Sequence, residues 1–121
     1  MIDDPGHVHH AIDYIEFSVT DMAATRAFLA AAFGWSFRDY GPGYAGIVRP
    51  DGSEAGGLCL VEAVQSGGPL VVLYSRDLDA SLAAVIVAGG QIVAQPFHFP
   101  GGRRFELREP SGNHLAVWSP R

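Results

Sequence analysis

Hydrophobic and polar residues alternate most clearly in segment 14–21, YIEFSVTD, and segment 70–77, LVVLYSRD, is its counterpart 56 positions later. Alternation with a period of two is typical of a half-buried strand, and an aspartate at its end is a frequent helix N-cap. A glycine follows each aspartate by 13 residues, at Gly34 and Gly90, where a helix is expected to stop. This repeat predicts two similar structural units.

Each unit is expected to contain one helix and four strands. In unit one, about residues 11–64, a helix follows Asp21 and the predicted strands are 12–19, 35–37, 44–48 and 58–61. In unit two, about 70–119, a helix follows Asp77 and the predicted strands are 70–76, 91–94, 103–108 and 114–118. Residues 65–69 link the units.

The spacing of apolar residues predicts how the elements pack. The buried stripes of the two helices are predicted to be Thr25, Phe28, Leu29, Ala32 and Phe33 in the first and Leu78, Leu82, Val85 and Ile86 in the second. The repeated order βαβββ predicts an α+β fold in which the two units form a curved mixed sheet around a cavity, with the helices outside.

Size and composition limit the class of protein. A chain of 121 residues with 48% hydrophobic residues is expected to form a single domain, 1–121, whose units share a core. The net charge of −5 argues against nucleic acid or an anionic membrane as a partner. The single cysteine, Cys59, excludes an internal disulfide and suits a reducing compartment, so we expect a cytoplasmic protein.

Several motifs resemble those of a known superfamily. They are the βαβββ duplication, the strand-to-helix junction Val19–Met22, the sequence Phe33-Gly34-Trp35 and the turn Glu109–Asn113. Together they resemble the vicinal oxygen chelate superfamily, also called the glyoxalase, bleomycin resistance and dioxygenase superfamily, from about residue 11 to 119. The resemblance implies the fold, but its members include metal-dependent lyases, isomerases, epimerases and dioxygenases as well as metal-free proteins that sequester antibiotics.

The resemblance also implies a position for a metal ion. Metalloenzymes of this superfamily take His, Gln or Glu ligands from the first and last strands of each unit. The residues of this chain near those positions are Tyr14, Leu70 and Ala116, with Leu58, Cys59 or Leu60 in unit one. Leucine and alanine have no lone pair to donate, and a neutral phenol is a poor ligand. We therefore predict no cofactor; a divalent metal would need a site rebuilt from Glu16, Glu62 and His114.

Strand alternation predicts which side chains face the cavity. If one face of each strand packs on a helix, the intervening residues line the cavity. The predicted ligand-binding residues are Tyr14, Leu70, Val72, Tyr74, Arg104, Arg108, Ala116 and Trp118, and the candidate catalytic residues are Glu16 and His114. Apolar and aromatic walls with a few charged groups are typical of a small-molecule site, and arginines suit an anionic ligand.

Glu16 and His114 each have two interpretations. Glu16 is either a general base or an anchor for a ligand amine or hydroxyl, or else it pairs with Arg104 or Arg108 and only fixes the sheet. His114 is either an acid–base residue or a strand histidine bonded to a neighbour.

Three hypotheses for the function follow from these residues. The first is a protein that binds a small organic molecule without a metal. The second is a metal-independent enzyme with Glu16 as base and His114 or Tyr14 as acid, in an isomerisation, epimerisation or lyase step. The third is a metal-dependent enzyme with displaced ligands. The resemblance further implies a homodimer, because similar proteins complete their cavities across a dimer or exchange units between chains.

Overall fold

The computed structural model describes residues 6–10, 12–64 and 67–121. Residue 11, the predicted start of unit one, and residues 65–66 of the predicted linker lie outside these ranges. In chain order the elements are β1 (Ile15–Val19), α1 (Met22–Phe33), β2 (Ser36–Asp39), β3 (Tyr44–Val48), β4 (Glu54–Leu60), β5 (Val71–Tyr74), α2 (Leu78–Val87), β6 (Gln91–Phe99), β7 (Gly102–Arg108) and β8 (His114–Ser119). The predicted order βαβββ occurs twice.

Both helices begin at the predicted aspartates. The side chains of Asp21 and Asp77 each accept a hydrogen bond from the backbone N–H three residues later, at 3.0 and 3.1 Å. Gly34 ends α1 in the left-handed conformation with a φ of 71°, and Gly89, with a φ of 94°, lies just beyond α2. In the part of the chain that the structure describes, neither helix is long and apolar enough to cross a membrane.

The strands form two four-stranded mixed sheets, in the orders β1-β4-β3-β2 and β5-β8-β7-β6. The first strand of each unit runs parallel to the last, and the other pairs are antiparallel. This arrangement confirms the α+β fold of two βαβββ units. Because the two sheets share no strand pairing within the described ranges, β1 and β5 are edge strands.

The two units share one hydrophobic core. Phe28 and Leu29 of α1, Val85 of α2 and Phe105 of β7 are each at most 3% exposed and belong to one cluster. The helices pack against each other as well as on the sheets. The predicted stripe of α2 is wrong at Ile86, which is 54% exposed, because successive helical residues point about 100° apart and Val85 faces the core.

Several strand boundaries differ from the prediction, most of all those of β1, β4 and β6; β4 begins at Glu54, four residues before the predicted start at 58. β1 begins at Ile15 rather than at residue 12. β6 continues beyond residue 94 to Phe99, with register irregularities on both sides of Ala94. Proline is tolerated in an edge strand at such an irregularity, so Pro96 does not end β6.

The turn Glu109–Asn113 of unit two forms hydrogen bonds with unit one. The carboxylate of Glu109, which is 4% exposed, accepts a hydrogen bond from the hydroxyl of Thr25 in α1 at 2.6 Å. It also accepts from the backbone N–H groups of Ser111 and Asn113, each at 2.9 Å. The side-chain amide of Asn113 donates to the carbonyl of Ser18 at 2.7 Å. The turn Glu109–Asn113 therefore contacts the junction between β1 and α1 in unit one.

Candidate functional site

A cavity of about 800 Å³ lies between β1 of unit one and the start of β8 in unit two. Five of the residues predicted from the sequence line it: Tyr14, Glu16, Leu70, Arg108 and His114. The two candidate catalytic residues, which are far apart in the sequence, therefore share one cavity. Their catalytic roles stay predictions.

The other predicted residues do not line this cavity. Val72 and Tyr74 line a second groove, of about 960 Å³, beside α2. Arg104 and Trp118 are paired neighbours in β7 and β8 of the second sheet. Ala116 is fully buried, so its side chain forms part of the sheet's floor.

A tyrosine that the sequence analysis did not single out connects the site residues of unit one. The hydroxyl of Tyr44 in β3 donates to Oε1 of Glu16 at 2.9 Å and lies 2.5 Å from the hydroxyl of Tyr14. Both hydroxyls lie over Gly57 in β4, where a Cβ would be 2.1 Å from the Tyr44 oxygen. Alternation in β3 could have identified Tyr44, because the buried Ala45 next to it faces the core.

The environment of Tyr44 keeps its hydroxyl protonated. Burial raises the pKa of Tyr44 far above its ordinary value, and the hydrogen bonds with Tyr14 and Glu16 raise that pKa further. Tyr44 therefore remains a donor to Glu16 throughout the physiological pH range. Of the two interpretations of Glu16, the pairing with Arg104 or Arg108 is wrong, because its partner in the described ranges is this tyrosine of its own sheet.

A second polar group lies on the same face of the first sheet. The carboxylate of Glu54 lies over Gly46 and accepts hydrogen bonds from Arg38, at 2.9 Å, and from the Tyr40 hydroxyl. The pKa of Arg38 is raised by its interactions with these two side chains, first with the Tyr40 hydroxyl and then with the Glu54 carboxylate. Gly46 pairs with Gly57 across β3 and β4. The Glu54 carboxylate and the hydroxyls of Tyr14 and Tyr44 therefore lie over two paired glycines, where no Cβ would obstruct them.

On the second sheet, one carboxylate joins two of the predicted residues. Glu106 accepts from Arg104 at 3.2 Å and from Nε2 of His114 at 2.9 Å. This contact matches the interpretation of His114 as a strand histidine bonded to a neighbour, and its acid–base role stays a prediction. When Nε2 carries the proton of a neutral imidazole, Nδ1 is left as an acceptor. Glu106 thus holds the ring of His114 and selects its tautomer.

Aromatic rings surround Arg104 on this face. Its guanidinium carbon is 5.2 Å from the ring centroid of Phe97 and 6.0 Å from that of Phe99, and these are cation–π distances. The ring of Trp118 is 5.8 Å from that of Tyr74 and 6.3 Å from that of Phe99. Arg104 is therefore held by Glu106 and by the rings, and it does not line the 800 Å³ cavity.

The side chains of this chain do not fit a metal ion at the positions that the resemblance implies. Glu16 pairs with Gly57 in unit one as Val72 pairs with Ala116 in unit two. Gly57, rather than a residue of 58–60, is therefore the counterpart of Ala116. The four positions hold Tyr14, Gly57, Leu70 and Ala116. Among residues 6–10, 12–64 and 67–121, no three His, Cys, Asp or Glu side chains are placed to hold a metal.

Solved structures of other proteins have the same fold. A glyoxalase/bleomycin resistance protein/dioxygenase family enzyme from Burkholderia phytofirmans PsJN superposes with a TM-score of 0.76 at 17% identity, covering 91% of this chain and 98% of that one. TnmS3, described as an antibiotic binding protein from Streptomyces sp. CB03234, gives a TM-score of 0.70 at 21% identity, covering 95% and 100%.

The sequence comparisons point to the same group of proteins. The putative glyoxylase CFP32 of Mycobacterium tuberculosis is 23% identical over an alignment of 115 positions that covers 88% of this chain. The chain spans 44% of the length of that relative. A family model matches residues 11–117, nearly the whole chain. The chain belongs to the Glyoxalase/Bleomycin resistance protein/Dioxygenase superfamily.

Proposed function

We propose that this protein binds a small organic molecule in the 800 Å³ cavity between its units, without a metal ion at the superfamily's ligand positions. The observation that carries the proposal is the lining of this cavity. Tyr14 and Glu16 from one unit and Arg108 and His114 from the other surround a volume within the range of about 300–1,000 Å³ typical of ligand sites. TnmS3, which shares the fold, is described as an antibiotic binding protein.

Native mass spectrometry tests the proposal directly. The protein is purified without a metal-affinity tag, incubated with an extract of small molecules and transferred to the gas phase intact. We expect an added mass that is organic and that disappears in Leu70→Trp, because the larger ring fills the cavity. Val87→Trp is the matched control, since Val87 is 88% exposed on α2 and outside the lining. A tightly held divalent ion in place of an organic mass would refute the metal-free part of the proposal.

A metal-independent enzyme is the second candidate, because His114 is held by Glu106 at 2.9 Å in the same cavity as Glu16. A carboxylate that orients an imidazole is a frequent feature of acid–base catalysis. In this proposal Glu16 is the base of an isomerisation, epimerisation or lyase step, and His114 is the acid, which donates from Nδ1 when both ring nitrogens carry protons. Glu16→Gln would then abolish turnover while the affinity for substrate is retained. If the same variant lost affinity instead, Glu16 would be an anchor for the ligand.

We also propose that the protein forms a homodimer. The edge strand β5 and the residue before it present exposed apolar side chains, with Leu70 at 37%, Val72 at 43% and Tyr74 at 62%. An unpaired apolar edge favours association with another strand. Size-exclusion chromatography with light scattering should give a dimer that Val72→Asp dissociates and Val87→Asp does not. A monomeric wild-type protein at micromolar concentration would contradict this assignment.

We propose a cytoplasmic location, because a single cysteine suits a reducing compartment. The acidic net charge of −5 supports a small molecule, rather than nucleic acid or a membrane, as the partner. Fractionation of cells that express the full chain tests the location.

A further inference from the structure

The acceptor groups and the arginine that line the cavity come from different units, whose contributions we call the first end and the second end. Unit one contributes Tyr14 and Glu16, whereas unit two contributes Arg108. We infer that the bound molecule is amphoteric, with an amine or another hydrogen-bond donor at Tyr14 and Glu16 and a carboxylate or another anion at Arg108. This inference rests on the proposed binding function of the cavity.

The direction of the hydrogen bonds makes the first end an acceptor. Tyr44 has one hydroxyl proton, and it gives this proton to the carboxylate of Glu16 at 2.9 Å. The 2.5 Å contact between the two phenols must therefore use the proton of Tyr14, with the Tyr44 oxygen as the acceptor. The Tyr14 oxygen then offers only lone pairs to the cavity. The Tyr14 oxygen and the exposed carboxylate of Glu16 therefore favour a ligand group that donates hydrogen bonds, and an ammonium group can donate to both of these acceptors.

The second end carries an uncompensated positive charge. Arg108 is exposed, and its side chain has no ion pair or hydrogen bond within the described ranges. The nearest acidic residue of β7, Glu106, is already bonded to Arg104 and His114. Arg108 is therefore the cation of the lining that is available to a ligand, and a guanidinium binds a carboxylate in a bidentate manner.

Four small aromatic probes of similar size test the inference. The first, 4-(aminomethyl)benzoate, carries both charges; benzylamine carries the amine, benzoate carries the carboxylate, and benzyl alcohol carries no charge. Binding is followed by the backbone amide signals of Val71 and His114 in NMR titrations at millimolar concentration, because both residues line the cavity. We expect the doubly charged probe to bind about tenfold tighter than either singly charged probe, since each charge-assisted contact adds to the affinity.

Charge-removing variants separate the two ends. Arg108→Gln should weaken 4-(aminomethyl)benzoate and benzoate about fivefold to tenfold and leave benzylamine unchanged. Glu16→Gln should do the reverse, weakening the two amine-bearing probes. Arg76→Gln is the matched control, because it removes the same charge from an exposed arginine outside the cavity lining. Circular dichroism confirms that each variant is folded.

The outcomes distinguish the inference from the function on which it rests. If benzyl alcohol binds as tightly as the doubly charged probe, or if both charge variants bind all probes as the wild type does, the amphoteric assignment is wrong while the cavity remains a binding site. If no probe shifts the signals of the lining residues, both the assignment and the proposed binding function fail. The inference is supported if Arg108→Gln weakens only the carboxylate-bearing probes and Glu16→Gln only the amine-bearing probes, while Arg76→Gln binds all four as the wild type does.

Discussion

Replacement of Glu109 by glutamine should measure how much the turn Glu109–Asn113, which joins the two units, contributes to the free energy of unfolding. In the native protein, one oxygen of this carboxylate accepts the Thr25 hydroxyl at 2.6 Å and the Ser111 N–H at 2.9 Å. The other oxygen accepts the backbone and side-chain N–H groups of Asn113, at 2.9 and 3.0 Å. Every lone-pair direction of the carboxylate that faces protein is therefore used by a donor.

The expected cost follows from this arrangement. A glutamine would place an NH₂ group where one of the two oxygens stood. If it replaced the oxygen bonded to Thr25 and Ser111, the Thr25 hydroxyl could rotate and accept, but the N–H of Ser111 would lose its partner. If it replaced the other oxygen, both N–H groups of Asn113 would face a donor. A buried hydrogen bond to a charged group contributes about 1.5–3 kcal/mol. We expect Glu109→Gln to lower the free energy of unfolding by about 2–4 kcal/mol, a large share of the 5–15 kcal/mol of an ordinary domain.

Urea denaturation followed by circular dichroism measures this cost. Arg49→Gln is the control, because Arg49 occupies the matching position in the exposed turn of unit one; it should cost less than about 1 kcal/mol. Thr25→Val completes a double-mutant cycle with Glu109→Gln, and the loss of stability in the double variant should differ from the sum of the two single losses, because the two side chains share a hydrogen bond. A loss below about 1 kcal/mol for Glu109→Gln, the value of an exposed pair, would refute the claim that this turn locks the units.

Three further predictions concern the cavity and its surroundings. In Gly57→Ala the new Cβ would lie 2.1 Å from the Tyr44 oxygen and displace a side chain, whereas in Gly56→Ala it would lie 1.9 Å from a backbone oxygen of β1; urea denaturation should show the larger loss of stability for Gly56→Ala. Because the folded-state pKa of Tyr44 is raised above the ordinary phenol value of about 10, the folded protein retains a proton that the unfolded chain releases. The free energy of unfolding should therefore fall as pH rises above about 10, by at most ~1.4 kcal/mol per pH unit for this group, and an unchanged slope in Tyr44→Phe would contradict this cause. In Glu106→Leu the His114 ring loses its acceptor, so nitrogen-15 NMR of the neutral ring should change from the Nε2–H tautomer to a mixture of tautomers.

The sequence by itself determined the local elements and their repetition. Alternation located β1 and β5, and the aspartates at 21 and 77 located the starts of both helices. These signals are local, because an N-cap acts on the next turn of helix and a strand's period is set by its own backbone. The boundary of β6 was less predictable, since Pro96 suggests an end unless a register irregularity accommodates it.

The tertiary structure decided which side chains meet. Alternation placed Glu16 on the open face, but only the register of β1, β4 and β3 brings Tyr44 over Gly57 to become its partner, in place of the arginine of one interpretation. Likewise, the sequence identified His114 without the carboxylate that holds it, since Glu106 lies eight residues away on a neighbouring strand. The cavity itself depends on how the two units pack, and that packing is a sum of long-range contacts that no short segment encodes.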